Sequence, residues 1–284
     1  MAVSLSRDVL FQYTRFTLFN SPYNAHDAGC AIDLYPDGEL APSPVSGEVI
    51  ETKQVTAPSK PYAAAHDYLI LIDTGEYVAR LLHVEPTVES GEMVTVGDPL
   101  GPLVRAGFFA PWVPNHIHLG FRPPDANHYR ASGSLPIRPE IEVEPLPWDG
   151  TGTVTERGET WVRLDAPEHP APGERFVGLE SDGGILDGGF PHYEYGGLLG
   201  GGAEPTVAGR SVGNPVPTEE TPAVQLAPTQ LSAQSLRWNN CTVTANGHPV
   251  TGIALYCARD SFGIKLVGED IPLSVGEDVT VDIE

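Results

Sequence analysis

Short segments in which apolar and polar residues alternate, each bounded by Gly, Pro, Asn or Asp, recur along the whole chain, and few stretches carry a helical period. A period of two lays one row of side chains on each face of a strand, whereas a helix needs apolar residues three and four apart. The fold class this implies is all-β. Strands are expected over 9–18, 31–35, 45–55, 68–72 and 77–83. Asp73-Thr-Gly-Glu76 is expected as the tight turn that folds 77–83 back antiparallel on 68–72. Residues 90–103 pair two short strands around Gly91 and Gly97. That pattern is also met in lipoyl and biotinyl carrier domains, but none of the three lysines, Lys53, Lys60 and Lys265, sits at the hairpin tip a carrier requires.

At 284 residues the chain has room for two or three domains with an ordinary core in the largest. Residues 1–123 form the first. After Arg122-Pro-Pro-Asp125 the text turns proline-rich and charged, so that 124–150 reads as an extended connector leading into strands at 151–156 and 160–164. Residues 181–202 are so dense in glycine that a loop is expected there, and His192, Tyr193 and Tyr195 within it could bend over a site as a lid. Residues 203–230 read as a proline-rich linker, and 231–284 as a small β-sandwich or barrel with a binding or packing role.

The chemistry-bearing residues gather early. In Trp112-Val-Pro-Asn-His-Ile-His-Leu-Gly-Phe121 two histidines, His116 and His118, stand one residue apart where a loop stiffens into a strand. Residues two apart on a strand share a face roughly 6–7 Å from each other, so both imidazoles can address one small object such as a metal ion and its water. Upstream lie His26 and Asp33, the latter facing away from Ile32 and Leu34, and His83 closes the run Tyr77-Val-Ala-Arg-Leu-Leu-His83. The apolar loop Gly107-Phe-Phe-Ala-Pro-Trp-Val-Pro114 reads equally as core packing or as a wall of a groove. His128, His169 and His248 read as surface histidines.

The order His, Asp, His, His-x-His over glycine-punctuated strands resembles the LytM or lysostaphin-type zinc metalloendopeptidases. The flanking text is similar too: Gly29 to Pro36 matches the family's Gly-Ile-Asp run. Ala41-Pro-Ser-Pro-Val-Ser-Gly-Glu-Val49 matches its Pro-Val-x-Gly-x-Val turn, and Val88 to Gly101 its Val-x-x-Gly-x-x-Val-x-x-Gly hairpin. The resemblance covers residues 20–123. It implies an antiparallel sheet of the barrel-sandwich hybrid kind, with zinc held by His26, Asp33 and His118 and water in the fourth position. His116 would take the water's proton, and His83 would bond the oxyanion or share the acid-base work. The substrate implied is a peptide bond next to glycine. One departure stands out: His26 and Asp33 are seven positions apart, where the family spaces them by four. A bulge could absorb the extra residues; Asp27 or Cys30 could replace a ligand, or metal binding could be lost. His66 and Asp67 form a further candidate pair, or the pair is hydrogen-bonded at a strand start.

Charge narrows the partners. Lys and Arg number 16 against 38 Asp and Glu, a formal charge of −22. Such a surface repels nucleic-acid phosphates and anionic lipid, so neither is expected as a partner. The same imbalance is what proteins of a high-salt, archaeal cytoplasm show. Cys30, Cys241 and Cys257 are too few for a disulfide scaffold and are expected reduced, with a Cys241–Cys257 pair as the alternative. The N-terminal text shows neither a signal peptide nor a membrane-spanning run, which points to the cytoplasm. The function expected is zinc-dependent hydrolysis of a peptide or protein. The alternative is a LytM-like domain without catalysis that serves as a binding or regulatory module.

Overall fold

The structure is a computed structural model, and it describes residues 2–202, 204–216 and 232–284. The fold is all-β: among the described residues the helices are two single turns, Arg7–Leu10 and Asn24–Asp27, and the long ladders are antiparallel. Among the described residues no helix is long and apolar enough to cross a membrane.

In the N-terminal half the strands run, side by side, Tyr13–Thr17, Ile32–Pro36, Ile117–Arg122, Val78–Leu82, Asp67–Asp73 and Gly47–Val55. Alternation decides what each face does. Ile32, Leu34, Ile117, Leu119, Leu81, Ile70 and Ile72 all point one way and are buried in the main core. Residues directly opposite across an antiparallel ladder share a face. The register therefore sets one row on the other side of the sheet: Asp33 opposite His118, His118 opposite Leu82, Leu82 opposite Leu69, and Leu69 opposite Lys53. This row is the floor of the candidate site. The two short strands near Gly91 and Gly97 pair with other partners rather than with each other: Met93–Val94 with Gly47 and Glu48, and Pro99–Pro102 with Leu40–Pro42.

The second half departs most from expectation. Residues 181–202 are not a loop: Gly184–Phe190 and Tyr195–Leu199 are paired strands, almost wholly buried. Their glycines make room for aromatic rings. A Cβ on Gly196 would lie 1.9 Å from the Trp238 ring, and one on Gly197 would lie 2.1 Å from Phe19. Glycine in a strand often marks such a close approach.

Nor is 231–284 a free-standing sandwich. Ala233–Trp238 pairs with Tyr195–Leu199, Lys265–Val267 with Trp161–Leu164, and Asp278–Ile283 with Thr151–Arg157. One core runs from Leu146 to Ile283, because a stretch of about fifty residues buries too little by itself and completes itself on the preceding strands. The expected connector supplies two strands, Ile137–Pro139 and Val143–Leu146. Of the expected linker, 206–207, 210–211 and 213–215 are short strands, while 203 and 217–230 lie outside the described residues. The halves join where Arg15 and Phe16 pair with Ala258 and Cys257. All three cysteines are free, so no Cys241–Cys257 bond forms.

Candidate metal centre

His26, Asp33 and His118 converge although they come from a helical turn and two strands. His26 Nδ1 lies 2.6 Å from the Leu18 carbonyl, which can only accept, so the proton sits on Nδ1 and Nε2 is left bare. That nitrogen is 3.0 Å from His118 Nδ1 and 3.4 Å from Asp33 Oδ1, and His118 Nδ1 is 3.1 Å from Asp33 Oδ1. Zinc–nitrogen and zinc–oxygen bonds of about 2.0–2.2 Å in a tetrahedron place neighbouring ligand atoms about 3.3–3.5 Å apart. The three donors fit that triangle to within a few tenths of an ångström. Among the described residues no further His, Cys, Asp or Glu joins the set, which leaves the fourth position of a tetrahedron open.

The electrostatics suit a cation. Burial alone would raise the Asp33 carboxyl, but the surrounding His26, His116 and His118 imidazoles hold it below the usual carboxylate range. Burial pushes His118 down to about 4 and His116 to about 3. At neutral pH the cluster thus presents the Asp33 carboxylate beside neutral His116 and His118 rings, and carboxylate and neutral imidazole are the states in which such groups ligate metal.

Two further histidines flank the set. His116 donates Nδ1–H to the Pro114 carbonyl at 2.8 Å and holds Nε2 3.6 Å from Asp33 Oδ2. His83 donates Nδ1–H to Asp67 Oδ2 at 2.7 Å, and its backbone N–H bonds Asp67 Oδ1 at 3.1 Å. Those two bonds hold His83 in a left-handed conformation, φ 70°, that a non-glycine residue seldom adopts. The His83 and His116 rings stand 5.0 Å apart. All five residues singled out from the sequence are therefore brought together. Asp67 takes no place among the ligands; it is fully buried and orients His83 instead. The hairpin turn carried the signal for this pairing, because Asp73 opposite Val78 sets a register that brings Asp67 alongside His83.

The seven-residue spacing is absorbed by a closed helical turn rather than a bulge. The turn Asn24–Asp27 ends in a Schellman motif: Gly29 at φ 62° sends its N–H to the His26 carbonyl (3.0 Å), and Cys30 sends its own to Ala25 (2.7 Å). Asp27 and Cys30 stay outside the ligand set. The carbonyl that orients His26 is itself held from the second half. Asp187, fully buried on Gly184–Phe190, accepts the N–H groups of Leu18 (2.5 Å) and Phe19 (3.1 Å). Burial outweighs those bonds and lifts its carboxyl to about 7. Nothing local in the sequence marked Asp187, whose partners are more than 160 positions away.

The five residues line one end of a cleft of about 400 Å³, mostly apolar. Leu82 and Leu69 form its floor, and Phe108 and Phe109 wall it, so the aromatic loop does both jobs expected of it: Phe109 and Val113 also pack inward. The expected lid is instead a tight turn between two buried strands. Tyr193 reaches the cleft, His192 packs against Trp112, and Tyr195 lies beneath Arg237. His169 is buried, not superficial, and its Nδ1 accepts the Ala171 N–H at 3.1 Å.

Residues 4–139 match the family model described as "Domain of unknown function (DUF8155) N-terminal domain", and residues 144–284 match the one described as its C-terminal domain. Together the two cover nearly the whole chain. No curated protein matches the chain.

Proposed function

For a chain that carries both domains of this family, we propose zinc-dependent hydrolysis of a peptide bond next to glycine, the activity that the resemblance to LytM-type endopeptidases implies. The observation that supports it is the triangle of donor atoms on His26, Asp33 and His118, spaced as a tetrahedral metal requires and flanked by two oriented histidines. Zinc held by these three residues supplies a Lewis acid that brings the pKa of water towards about 7.

The remaining chemistry belongs to the side chains. With Nδ1–H committed to Pro114, His116 presents a bare Nε2 to the attacking water; burial makes it a weak base, and the Asp33 carboxylate 3.6 Å away opposes that by stabilising the imidazolium formed when the proton is taken. With Nδ1–H bonded to Asp67, His83 is left with Nε2 to exchange a proton with the oxyanion or the leaving amine. Phe108, Phe109 and the leucine floor keep water away from these charges, which strengthens each interaction.

Zinc-loaded protein is expected to cut an oligoglycine peptide. A chelator should abolish the cleavage and zinc should restore it, and His116→Ala should slow it by 10²-fold or more with zinc content kept. Absence of cleavage from fully loaded protein would leave a metal-binding module without catalysis.

A further inference from the structure

The cleft has a second end that the proposed chemistry does not use. Lys53 lies three strands from His118 along the same cross-strand row, about 14 Å between Cα positions at the usual strand spacing. Arg80 lies one strand over and two residues along, about 8 Å away by the same geometry. Both line the cleft.

Neither is paired with a carboxylate of the described residues. Arg80 is only 8% exposed and donates Nε–H to the His128 carbonyl at 2.5 Å, but among the described residues no carboxylate pairs with it. Burial and the nearby Arg122 guanidinium lower it to about 10, so it remains charged at neutral pH. The Lys53 ammonium sits 4.9 Å from the centre of the Tyr129 ring and forms no ion pair among the described residues. Glu51, on the same strand, bonds the Tyr129 hydroxyl. A guanidinium buried without an anion is costly unless something binds there.

The sign contrast is the second observation. The whole chain has 38 acidic residues to 16 basic. The cleft lining reverses this, with two cations and one carboxylate, Asp33, which is taken up by the histidine cluster. A cleft of positive sign in so acidic a chain selects a negative ligand.

We infer that Arg80 and Lys53 form a carboxylate subsite, so that the peptide this cleft takes carries an acidic side chain or its own C-terminal carboxylate two to four residues from the bond at the histidine cluster. This rests on the peptidase reading only for the identity of the bond. Arg80 offers the planar fork that matches a carboxylate, and Lys53 adds a point charge at the cleft mouth.

Titration of the full chain, before and after zinc is supplied, tests it with paired probes. Acetyl-Gly-Gly-Gly-Glu-amide is compared with its Gln counterpart, and acetyl-tetraglycine with a free carboxylate is compared with its amide. At least one carboxylate member is expected to bind tenfold or more tightly than its neutral twin, and the pair that responds identifies the source of the charge. Lys53→Gln, an exposed change, should shrink the preference severalfold, and so should Arg80→Lys, which keeps the charge but loses the fork. Equal binding within both pairs would overturn the subsite, as would a preference that survives both substitutions. Peptide bound with this preference but never cut would sink the peptidase reading alone; cleavage without the preference would sink the subsite alone.

Discussion

The two halves of the molecule contribute to the site in different ways. Residues up to 139 provide the ligands, the flanking histidines, the aromatic wall and the cations; Asp33, His118, Arg80 and Lys53 lie on strands whose other face serves the main core, while His26, His83, His116, Phe108 and Phe109 lie on turns and loops beside them. The second half sends in one side chain, Tyr193, and otherwise acts from behind. Asp187 fixes the peptide groups of Leu18 and Phe19, and the Ser235 hydroxyl bonds the carbonyl of Asp27. Reactive groups can be set by the alternation of a few strands, whereas holding them to a few tenths of an ångström takes a second body packed behind them.

The contrast breaks first at Asp67. Asp67→Asn removes the carboxylate that orients His83, and a 10–100-fold loss in peptide hydrolysis is expected with zinc content unchanged, because no ligand atom is touched. Steady-state rates alongside elemental analysis check this. An equal loss of zinc would mean that the two histidine groups are not separable.

On the other side, Asp187→Asn should act on stability. The folded protein keeps the Asp187 proton up to about pH 7, while an unfolded aspartate releases it near 4. In that window the native state binds more protons than the unfolded one, so this residue's contribution falls as pH rises from about 4 to about 7 and levels off above. The melting temperature of chelator-treated wild type, minus that of Asp187→Asn, should decline across this window and then flatten. A flat difference throughout would show that the carboxyl is ionised in the fold.

What could be read from sequence follows the same division. His116 and His118 were legible because two-residue spacing on a strand fixes a shared face, and Asp33 because Ile32 and Leu34 beside it must turn the other way. The path from His26 was less so, since the closed turn at Gly29 depends on backbone bonds that no side-chain pattern announces. In the second half, glycines 196 and 197 read locally as loop. They are strand because Trp238 and Phe19, distant in the chain, fill the space above them. Arg80 and Lys53 each looked like ordinary strand residues, and only the register across four strands sets them at one cleft.

The most direct measurement is the zinc content of the purified full chain by elemental analysis, beside that of His118→Ala. Close to one zinc per chain in wild type, lost in the variant while the far-ultraviolet spectrum stays that of a β protein, is the expected result. Wild type that takes up no zinc when it is supplied, or a variant that keeps it, would contradict the assignment of His26, Asp33 and His118 as a metal centre.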